Sequence, residues 1–309
     1  MGTLDISFGI AMLLQISIGA SVNVFLLLFY IYVVSISHKF SSSDLIFAHL
    51  ALANTIILLT NGIPETMSAW GLRNFLDDAE CKIVMYLYRV ARGLAICTTC
   101  LLSVFQAVTI SPGTTRWAGV KSILPKCIIP SCVLFWVLGL LIDVNAVIYV
   151  TGPRNSTSVH VTFDLKYCVV TSLSAEAALA NAVMVSFRDL FFVGIMGAAS
   201  GYMMFVLHGH HRRVQHLHRP SHSPRVMPEV RAAKRVIALV TLYVILYGRQ
   251  SIMLSVLLNR KEKSPLLVNI HMVLSFTFST LSPFLVIHSD WRMRTFWKRD
   301  SPISQVDPL

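Results

Sequence analysis

The chain has 309 residues, of which 55% are hydrophobic and only 13% are charged, and its formal net charge is +11. Soluble domains usually carry about 25% charged residues, so this composition excludes an ordinary soluble domain. The positive charges lie in short segments between apolar runs, which is typical of a polytopic membrane protein and argues against nucleic acid as a partner.

Seven apolar runs, called runs one to seven below, are each long enough to cross a bilayer as a helix. In chain order they cover residues 6–34, 45–70, 81–110, 123–150, 177–207, 236–258 and 266–288, and residues 289–309 form a tail. Helices satisfy their own backbone polar groups in lipid. The runs therefore predict an all-α membrane protein, a seven-transmembrane helix bundle in a single domain.

The distribution of charge predicts the orientation of this bundle. The segments after runs one, three, five and seven are basic, whereas the segment after run two carries Asp77, Asp78 and Glu80. Basic residues favour the cytoplasmic side of a membrane. We therefore expect an extracellular N-terminus, a cytoplasmic C-terminus and a multi-pass location in the lipid bilayer of the plasma membrane.

The segment between runs five and six reads HGHHRRVQHLHRPSHSPRVMPEVRAAKR and is rich in histidine. Zinc would need a spaced set of four ligands, and no cysteine or acid completes such a set here. The many arginines favour a solvated, basic cytoplasmic loop over a metal site. The sequence predicts neither a metal nor a cofactor.

Topology reduces the pairings that are open to the six cysteines. Four of them lie inside runs three and four, whereas Cys81 and Cys168 lie on the predicted extracellular side. Because that side is oxidising, a Cys81–Cys168 disulfide is predicted, with two free thiols as the alternative. The same outer segment contains Asn155-Ser156-Thr157, the only N-x-[ST] triplet in the chain, so Asn155 is predicted to carry a glycan.

Charged residues inside membrane spans are costly and are candidates for function. Arg89 and Arg92 are three residues apart and share a face of run three. Two interpretations remain open: they line an outer cavity that takes an anionic or strongly polar ligand, or they pair with acids of neighbouring helices. The candidate pocket residues are Arg89, Arg92, Glu65, Asp189, Arg249 and His271.

Arg188 and Asp189 are adjacent in run five, point in different directions and are expected to have separate partners. Asp143 is a further candidate partner for the arginines of run three. Arg249 is also expected to extend toward the membrane interface.

The sequence gives no sign of an enzyme, because it has no H-E-x-x-H, P-loop or G-x-S-x-G motif. It also lacks two matched halves with interrupted helices, which many transporters have. A seven-span transporter is nevertheless an alternative that the residues leave open.

Seven helices with an outer disulfide resemble the rhodopsin-like G-protein-coupled receptors. Where such receptors end their third helix with an acid-arginine-aromatic triplet, this chain has Phe105-Gln106-Ala107. In run seven, Ser282-Pro283-Phe284-Leu285-Val286 replaces Asn-Pro-x-x-Tyr. Asn54 replaces the usual aspartate of run two, and the asparagine of run one is kept as Asn23. The resemblance implies that Asn23, Asn54 and Pro283 belong to a helix switch.

Longer strings are similar to one family within that group, the vomeronasal type-1 receptors. They are ARGLAICTTCLLSVFQAVTISP, NGIPETMSAWGLRNFLDDAECK, SFRDLFFVGIM, RRVQHLHRPSHSPRVMPEVRAAKR and TLSPFLVIHSD, and the similarity covers roughly residues 10–290. The resemblance implies a chemosensory receptor that binds a pheromone-like small molecule in an outer pocket. It also implies activation of a heterotrimeric G protein, of the inhibitory type.

The residues implied to face the G protein are Gln106, Arg212, Arg213 and His216. Because Gln106 cannot form an ionic lock, we expect a weakly restrained inactive state. The segments 229–233 and 249–250 depart from the family pattern, so a non-signalling or degraded member of the family is the alternative.

Overall fold

The computed structural model describes residues 3–37, 41–112, 115–152, 160–165, 167–172, 175–217, 233–234, 236–246, 270 and 272–289. Its helices, named in chain order, are α1 Thr3–Ser37, α2 Ser42–Ile57, α3 Ile63–Ala69, α4 Asp78–Ile110, α5 Thr115–Ile142, α6 Asn145–Tyr149, α7 Ala175–Leu217, α8 Val236–Leu246 and α9 Thr277–Ser289. A π-helical turn, Leu58–Gly62, joins α2 to α3 without a break. Three short strands lie between α6 and α7: β1 Val150–Thr151, β2 His160–Asp164 and β3 Val169–Ser172.

Five helical segments in the described part of the chain are long and apolar enough to span a membrane. They are Ile6–Ile36, Ser42–Ala69, Asp78–Ile110, Trp117–Tyr149 and Leu179–Gly209, and they correspond to runs one to five. The described parts of runs six and seven are the shorter apolar helices Val236–Leu246 and Met272–His288. Leu28, Ile129 and Phe205 are among many large apolar side chains exposed on these helices, as expected of a surface that meets lipid.

Several helices have ends that differ from the predicted runs. α5 begins at Thr115, ahead of residue 123, and ends at Ile142, where a turn leads into α6. α7 continues to Leu217, so the first part of the histidine-rich segment is helical and not a loop. Hydropathy marks where contact with lipid ends, whereas a helix can continue into water as long as its backbone hydrogen bonds are made.

α4 is the central helix of the described bundle. It packs against α2, α5 and α7, and 78% of its most apolar 18 residues are buried, compared with 17% for the corresponding stretch of α7. A capping box closes its first turn, because the Glu80 amide donates to Asp77 Oδ1 at 2.8 Å and the Asp77 amide donates to Glu80 Oε2 at 3.0 Å. Buried residues of α4 include Cys81 in its first turn and extend from Val90 to Val108, so both ends of the helix reach the interior of the bundle.

The segment between α6 and α7 forms an antiparallel sheet in the order β1-β3-β2, which the all-α prediction missed. Strand pairing satisfies backbone groups that would otherwise lack partners where this segment folds over the helices. The Gly152 amide, just after β1, donates to Asp78 Oδ1 at 3.1 Å and attaches the segment to the start of α4. The end of the bundle that carries this sheet is called the sheet end below.

The predicted disulfide is confirmed, since Cys81 in the first turn of α4 is bonded to Cys168 just before β3. Their Cα atoms are 5.7 Å apart, and both residues are completely buried. The bond joins positions 87 residues apart and holds the sheet against α4.

Cys81→Ser and Cys168→Ser should each lower the melting temperature and the surface level of the protein. Native disulfides of extracellular segments typically contribute about 2–5 kcal/mol of stability. Flow cytometry and thermal unfolding in detergent measure the two effects. Cys127→Ser is the matched control, because Cys127 is a free, exposed cysteine of α5. If the two disulfide variants behave like this control, the bond does not stabilise the fold.

Candidate functional site

A cleft lies between α2, α4, α8 and the helical segment that contains α9. It has a cavity volume of about 50 Å³ and is lined by Ile57, Tyr88, Arg92, Ala95, Tyr243, Leu246, Leu274, Ser275, Phe278 and Ser279. The rings of Tyr243 and Phe278 meet edge to face with their centroids 4.9 Å apart. The walls are therefore mainly apolar and aromatic, and Arg92 is the one charged side chain among the described lining residues.

Arg92 also belongs to a group of charged residues on α4, α7 and the turn after α5. This ion network consists of Arg89, Arg92, Asp143, Arg188 and Asp189. Arg92 Nη2 donates to Asp189 Oδ2 at 2.9 Å, and Arg188 Nη1 donates to Asp143 Oδ2 at 2.7 Å. Both aspartates are 1% exposed and Arg188 is 7% exposed, so these charges are out of contact with solvent. Buried charges of this kind are tolerated only when they are paired.

Arg188 binds its chain neighbour as well, because its Nε donates to Asp189 Oδ1 at 3.1 Å. Each of these adjacent residues has the separate partner that was predicted, Asp143 for Arg188 and Arg92 for Asp189, and the bond between them is an additional contact that was not predicted. The guanidinium, at the end of a long side chain, bends back to Asp189 while it reaches Asp143 with another nitrogen. Gly93 of α4 leaves room for it, since a Cβ atom there would lie 2.9 Å from Arg188 Nη1.

The structure separates the two arginines of α4 that were predicted together. Arg92 pairs with Asp189 and also lines the cleft, so both interpretations apply to it. Arg89 lies outside the cleft lining, and its Nε is 3.9 Å from Asp143 Oδ1. Three arginines and two aspartates leave the ion network with a formal charge of +1. Arg249 and His271, two other pocket candidates, lie outside the described residues.

Glu65 of α3, another pocket candidate, is held by two residues that were not predicted. Asn61 Nδ2 in the π-turn donates to Glu65 Oε1 at 2.9 Å, and the Tyr167 hydroxyl donates to Asn61 Oδ1 at 3.2 Å. Burial raises the pKa of Tyr167 well above its ordinary value. The Tyr167 hydroxyl therefore keeps its proton and remains a donor.

The predicted switch residues Asn23 and Asn54 meet between α1, α2 and α9. Asn54 Nδ2 donates to Ser282 Oγ at 2.9 Å and, at 3.4 Å, to Asn23 Oδ1. Asn23 Nδ2 in turn donates to the Ser279 carbonyl at 2.9 Å. Pro283 follows Ser282 in α9. Ser279 lines the cleft, so the hydrogen bond between Asn23 and the Ser279 carbonyl connects this asparagine junction to the cleft.

Comparison with known proteins identifies the family of the chain. The model of the vomeronasal organ pheromone receptor family matches residues 6–299. The chain belongs to this family. It is 37% identical over 287 residues to olfactory receptor class A-like protein 1 of Danio rerio, an alignment that covers 93% of this chain and 90% of that protein. It is 39% identical over 264 residues to vomeronasal type-1 receptor 4 of Homo sapiens, which covers 84% and 88% of the two chains.

The family resemblance inferred from the quoted strings is thereby confirmed. Membership of the vomeronasal receptor family identifies the chain as a chemosensory receptor of the G-protein-coupled type. Together with the apolar helices, it also identifies a membrane protein.

At the end of the receptor bundle opposite the sheet, α4 is joined to α5 and α7 by polar contacts. The hydroxyls of Ser111 and Tyr202 are 3.0 Å apart, and Lys121 Nζ donates to the carbonyls of Ser111 at 2.7 Å and Thr109 at 3.2 Å. Lys121 thus satisfies carbonyls that are left without helical partners at the C-terminus of α4. Gln106 is only 6% exposed and lies inside the bundle.

The structure describes some, but not all, of the remaining predicted site residues. Arg212 is exposed on α7, and Arg213 and His216 lie farther along the same helix. Asn155 lies outside the described residues.

Sequence reasoning missed Asn61, although its spacing of four residues from Glu65 places the two on one helix face. No local pattern links Lys121 or Tyr202 with the end of α4.

Arg188→Met should lower the melting temperature of this vomeronasal receptor more than an exposed lysine substitution does. It leaves Asp143 and Asp189 buried without their shared cation, and removing one partner of a buried pair costs about 3–5 kcal/mol. Lys82→Met is the control, because the Lys82–Asp78 pair at 2.8 Å is partly exposed and such pairs contribute about 1 kcal/mol or less. Thermal unfolding in detergent measures both, and equal shifts would show that the network does not stabilise the bundle.

Proposed function

We propose that this vomeronasal receptor chain binds a small molecule in the cleft and activates a heterotrimeric G protein of the inhibitory type. In this proposal the chain crosses the plasma membrane seven times, with the sheet end and the N-terminus outside the cell. The basic segments and the C-terminal tail then face the cytoplasm.

The observation that carries the proposal is the chemistry of the cleft. Small-molecule sites are concave, largely apolar and contain a few fixed polar groups. The cleft has this composition, with Arg92 held by Asp189 beside the aromatic pair Tyr243 and Phe278. Arg92 has five N–H donors, and the ion network carries an excess positive charge, so a ligand with an anionic or hydrogen-bond-accepting group suits this wall.

A route from the cleft to the opposite end runs through α9. Ser275, Phe278 and Ser279 line the cleft, and Ser279 is bonded through its carbonyl to Asn23. A ligand that binds one position of α9 better than another shifts the population toward that position. The shift changes the asparagine junction, since Ser282 on the same helix accepts from Asn54.

The G protein would bind at the end opposite the sheet. The polar contacts of Ser111, Lys121 and Tyr202 hold α4, α5 and α7 together there. Arg212 is exposed on the extension of α7 and would contribute to a basic contact surface, and Arg213 and His216 follow it in the sequence of the same helix. Because Gln106 is buried, we assign it to helix packing and not to direct contact with the partner.

A panel of small aromatic acids and their methyl esters tests the ligand site. Cells that express the receptor with a promiscuous G protein should respond to one or more of the acids and more weakly to the corresponding ester. Arg92→Gln should reduce the potency of the acid by about tenfold or more, because a hydrogen bond to a charged group contributes about 1.5–3 kcal/mol. The measurement is second-messenger output divided by surface receptor.

Arg73→Gln is the control for that experiment, since Arg73 is an exposed arginine outside the cleft. Equal potency in the Arg92 and Arg73 variants would remove Arg92 from the ligand site. Absence of any response, with uptake of a labelled acid into receptor vesicles, would favour the transporter. If the receptor reaches the cell surface at a normal level but shows neither a second-messenger response nor uptake of the acid, a non-signalling family member would be favoured.

The proposed orientation predicts that Asn155 carries a glycan. Removal of N-glycans by enzyme should lower the apparent mass of the wild type but not of Asn155→Gln or Thr157→Ala. Ser156→Ala is the control, because the middle position of the triplet is free to vary and the mass change should persist. A wild-type mass that enzyme treatment leaves unchanged would contradict the prediction.

A further inference from the structure

Lys126 is an exposed cation on α5, a helix whose surface is otherwise largely apolar. Only 22% of the most apolar stretch within Trp117–Tyr149 is buried, so most of this helix faces the bilayer. α5 contains no acidic residue, and Lys126 has no ion pair or hydrogen bond to any residue that the structure describes. Because an ammonium group at the edge of lipid is costly without a counter-charge, its counter-charge is expected to come from the bilayer.

The two lysines of α5 differ in their partners. Lys121 Nζ donates to the carbonyls of Ser111 at 2.7 Å and Thr109 at 3.2 Å, so its charge is used within the protein. Lys126 follows five residues later, which corresponds to a rotation of about 140° around the helix. Its side chain therefore points away from the end of α4 that Lys121 contacts.

The length of α5 indicates the depth of Lys126 in the membrane. A hydrocarbon core about 30 Å thick corresponds to about 20 residues of helix. With Ile142, the last residue of α5, at one edge of the core, the other edge lies near residue 122. Lys126 is then about 6 Å inside that edge. Helical side chains lean toward the N-terminus of their helix, so the lysine stem carries its ammonium group back to the level of the lipid headgroups.

The helix face toward which Lys126 leans has room for a headgroup. Gly119 is seven residues before Lys126, or about two turns, and therefore lies on the same face. Gly119 is exposed, and a Cβ atom there would have no other heavy atom within 4 Å. Ser122 between them is also small and exposed, and its hydroxyl donates to the Gly119 carbonyl at 2.8 Å. The two small residues leave a shallow recess next to the ammonium group.

The same helix face becomes aliphatic on the other side of Lys126. Val133, Val137 and Leu140 follow at helical spacing, and all three are exposed. They lie about 10 to 21 Å from Lys126 along the helix axis, which is comparable to the depth of one leaflet. Recess, cation and aliphatic row thus follow one another in the order of the headgroup, phosphate and acyl chain of a phospholipid.

We propose that the face of α5 from Gly119 to Leu140 binds an anionic phospholipid. Its phosphate group pairs with the ammonium group of Lys126, and one acyl chain lies along Val133, Val137 and Leu140. The proposed orientation places this lipid in the cytoplasmic leaflet, where anionic lipids are concentrated, so this detail rests on the proposed function. Because Lys121 joins the start of α5 to α4, the bound lipid would stabilise the end of the bundle at which the G protein binds.

The first test compares two lipids that differ in headgroup charge. Purified receptor in detergent is titrated with phosphatidylglycerol and with phosphatidylcholine of the same acyl chains, and bound lipids are counted by native mass spectrometry. Phosphatidylglycerol should bind about fivefold more tightly, which is the effect of one basic group near anionic lipid. Lys126→Gln should remove this preference, whereas Arg73→Gln should keep it, because Arg73 is an exposed arginine at the sheet end. Equal affinities for the two lipids, or a preference that survives in Lys126→Gln, would overturn the proposal.

The second test fills the recess without changing the charge. Gly119→Leu should weaken the binding of phosphatidylglycerol several-fold, and its melting temperature should not fall, because the added side chain meets no neighbour. Gly194→Leu is the matched control, since Gly194 of α7 is exposed and has equally open surroundings. Affinity for phosphatidylglycerol that is the same in both variants would overturn the placement of the headgroup at Gly119.

Other occupants of this face give different results in the same measurement. Glycerol 3-phosphate has no acyl chain and should not compete with phosphatidylglycerol, so competition would assign the site to free phosphate and overturn the proposal. Displacement of the bound lipid by cholesterol, or by dimerisation of the receptor, would overturn it as well. The measurement needs neither a receptor ligand nor a G protein, and detergent gives lipid access to both ends of the bundle. Failure of this proposal is therefore distinct from failure of the proposed function.

Discussion

The guanidinium of Arg188 is the constraint on which the described bundle depends. It lies between α4, α5 and α7, where a charge without partners would be prohibitively costly, and it is held by Asp143 and Asp189. Asp189 also pairs with Arg92, and Arg92 lines the cleft, so the ion network extends to the cleft wall. The position of the cleft wall therefore follows from the need to pair buried charges.

The central helix α4 connects this network with both ends of the molecule. At the sheet end, Cys81 attaches it to the segment that positions Tyr167 and, through Asn61, Glu65. At the opposite end, Lys121 satisfies its last carbonyls. In the proposed function, ligand recognition at one end and partner binding at the other would share this helix, and α9, joined through Ser279 to the asparagine junction, would be the element that moves.

Much of this organisation could be predicted from the sequence, because membrane proteins obey strong local rules. Uninterrupted apolar runs located the five long helices of the described chain, and the predicted topology left Cys81 and Cys168 as the outer pair. The sheet was missed, since its short strands have no apolar periodicity of their own. The bond between Arg188 and Asp189 and the role of Tyr167 were missed because both depend on tertiary distances that residue spacing does not encode.

The most direct test of the central claim is a double-mutant cycle between Asp143 and Arg188, read as the free energy of unfolding in detergent. The variants are Asp143→Asn, Arg188→Met and the double variant. If the pair clamps α5 to α7, the double variant should lose less stability than the sum of the single variants, with a coupling energy above about 1 kcal/mol. Additive losses, within about 0.5 kcal/mol, would contradict the account.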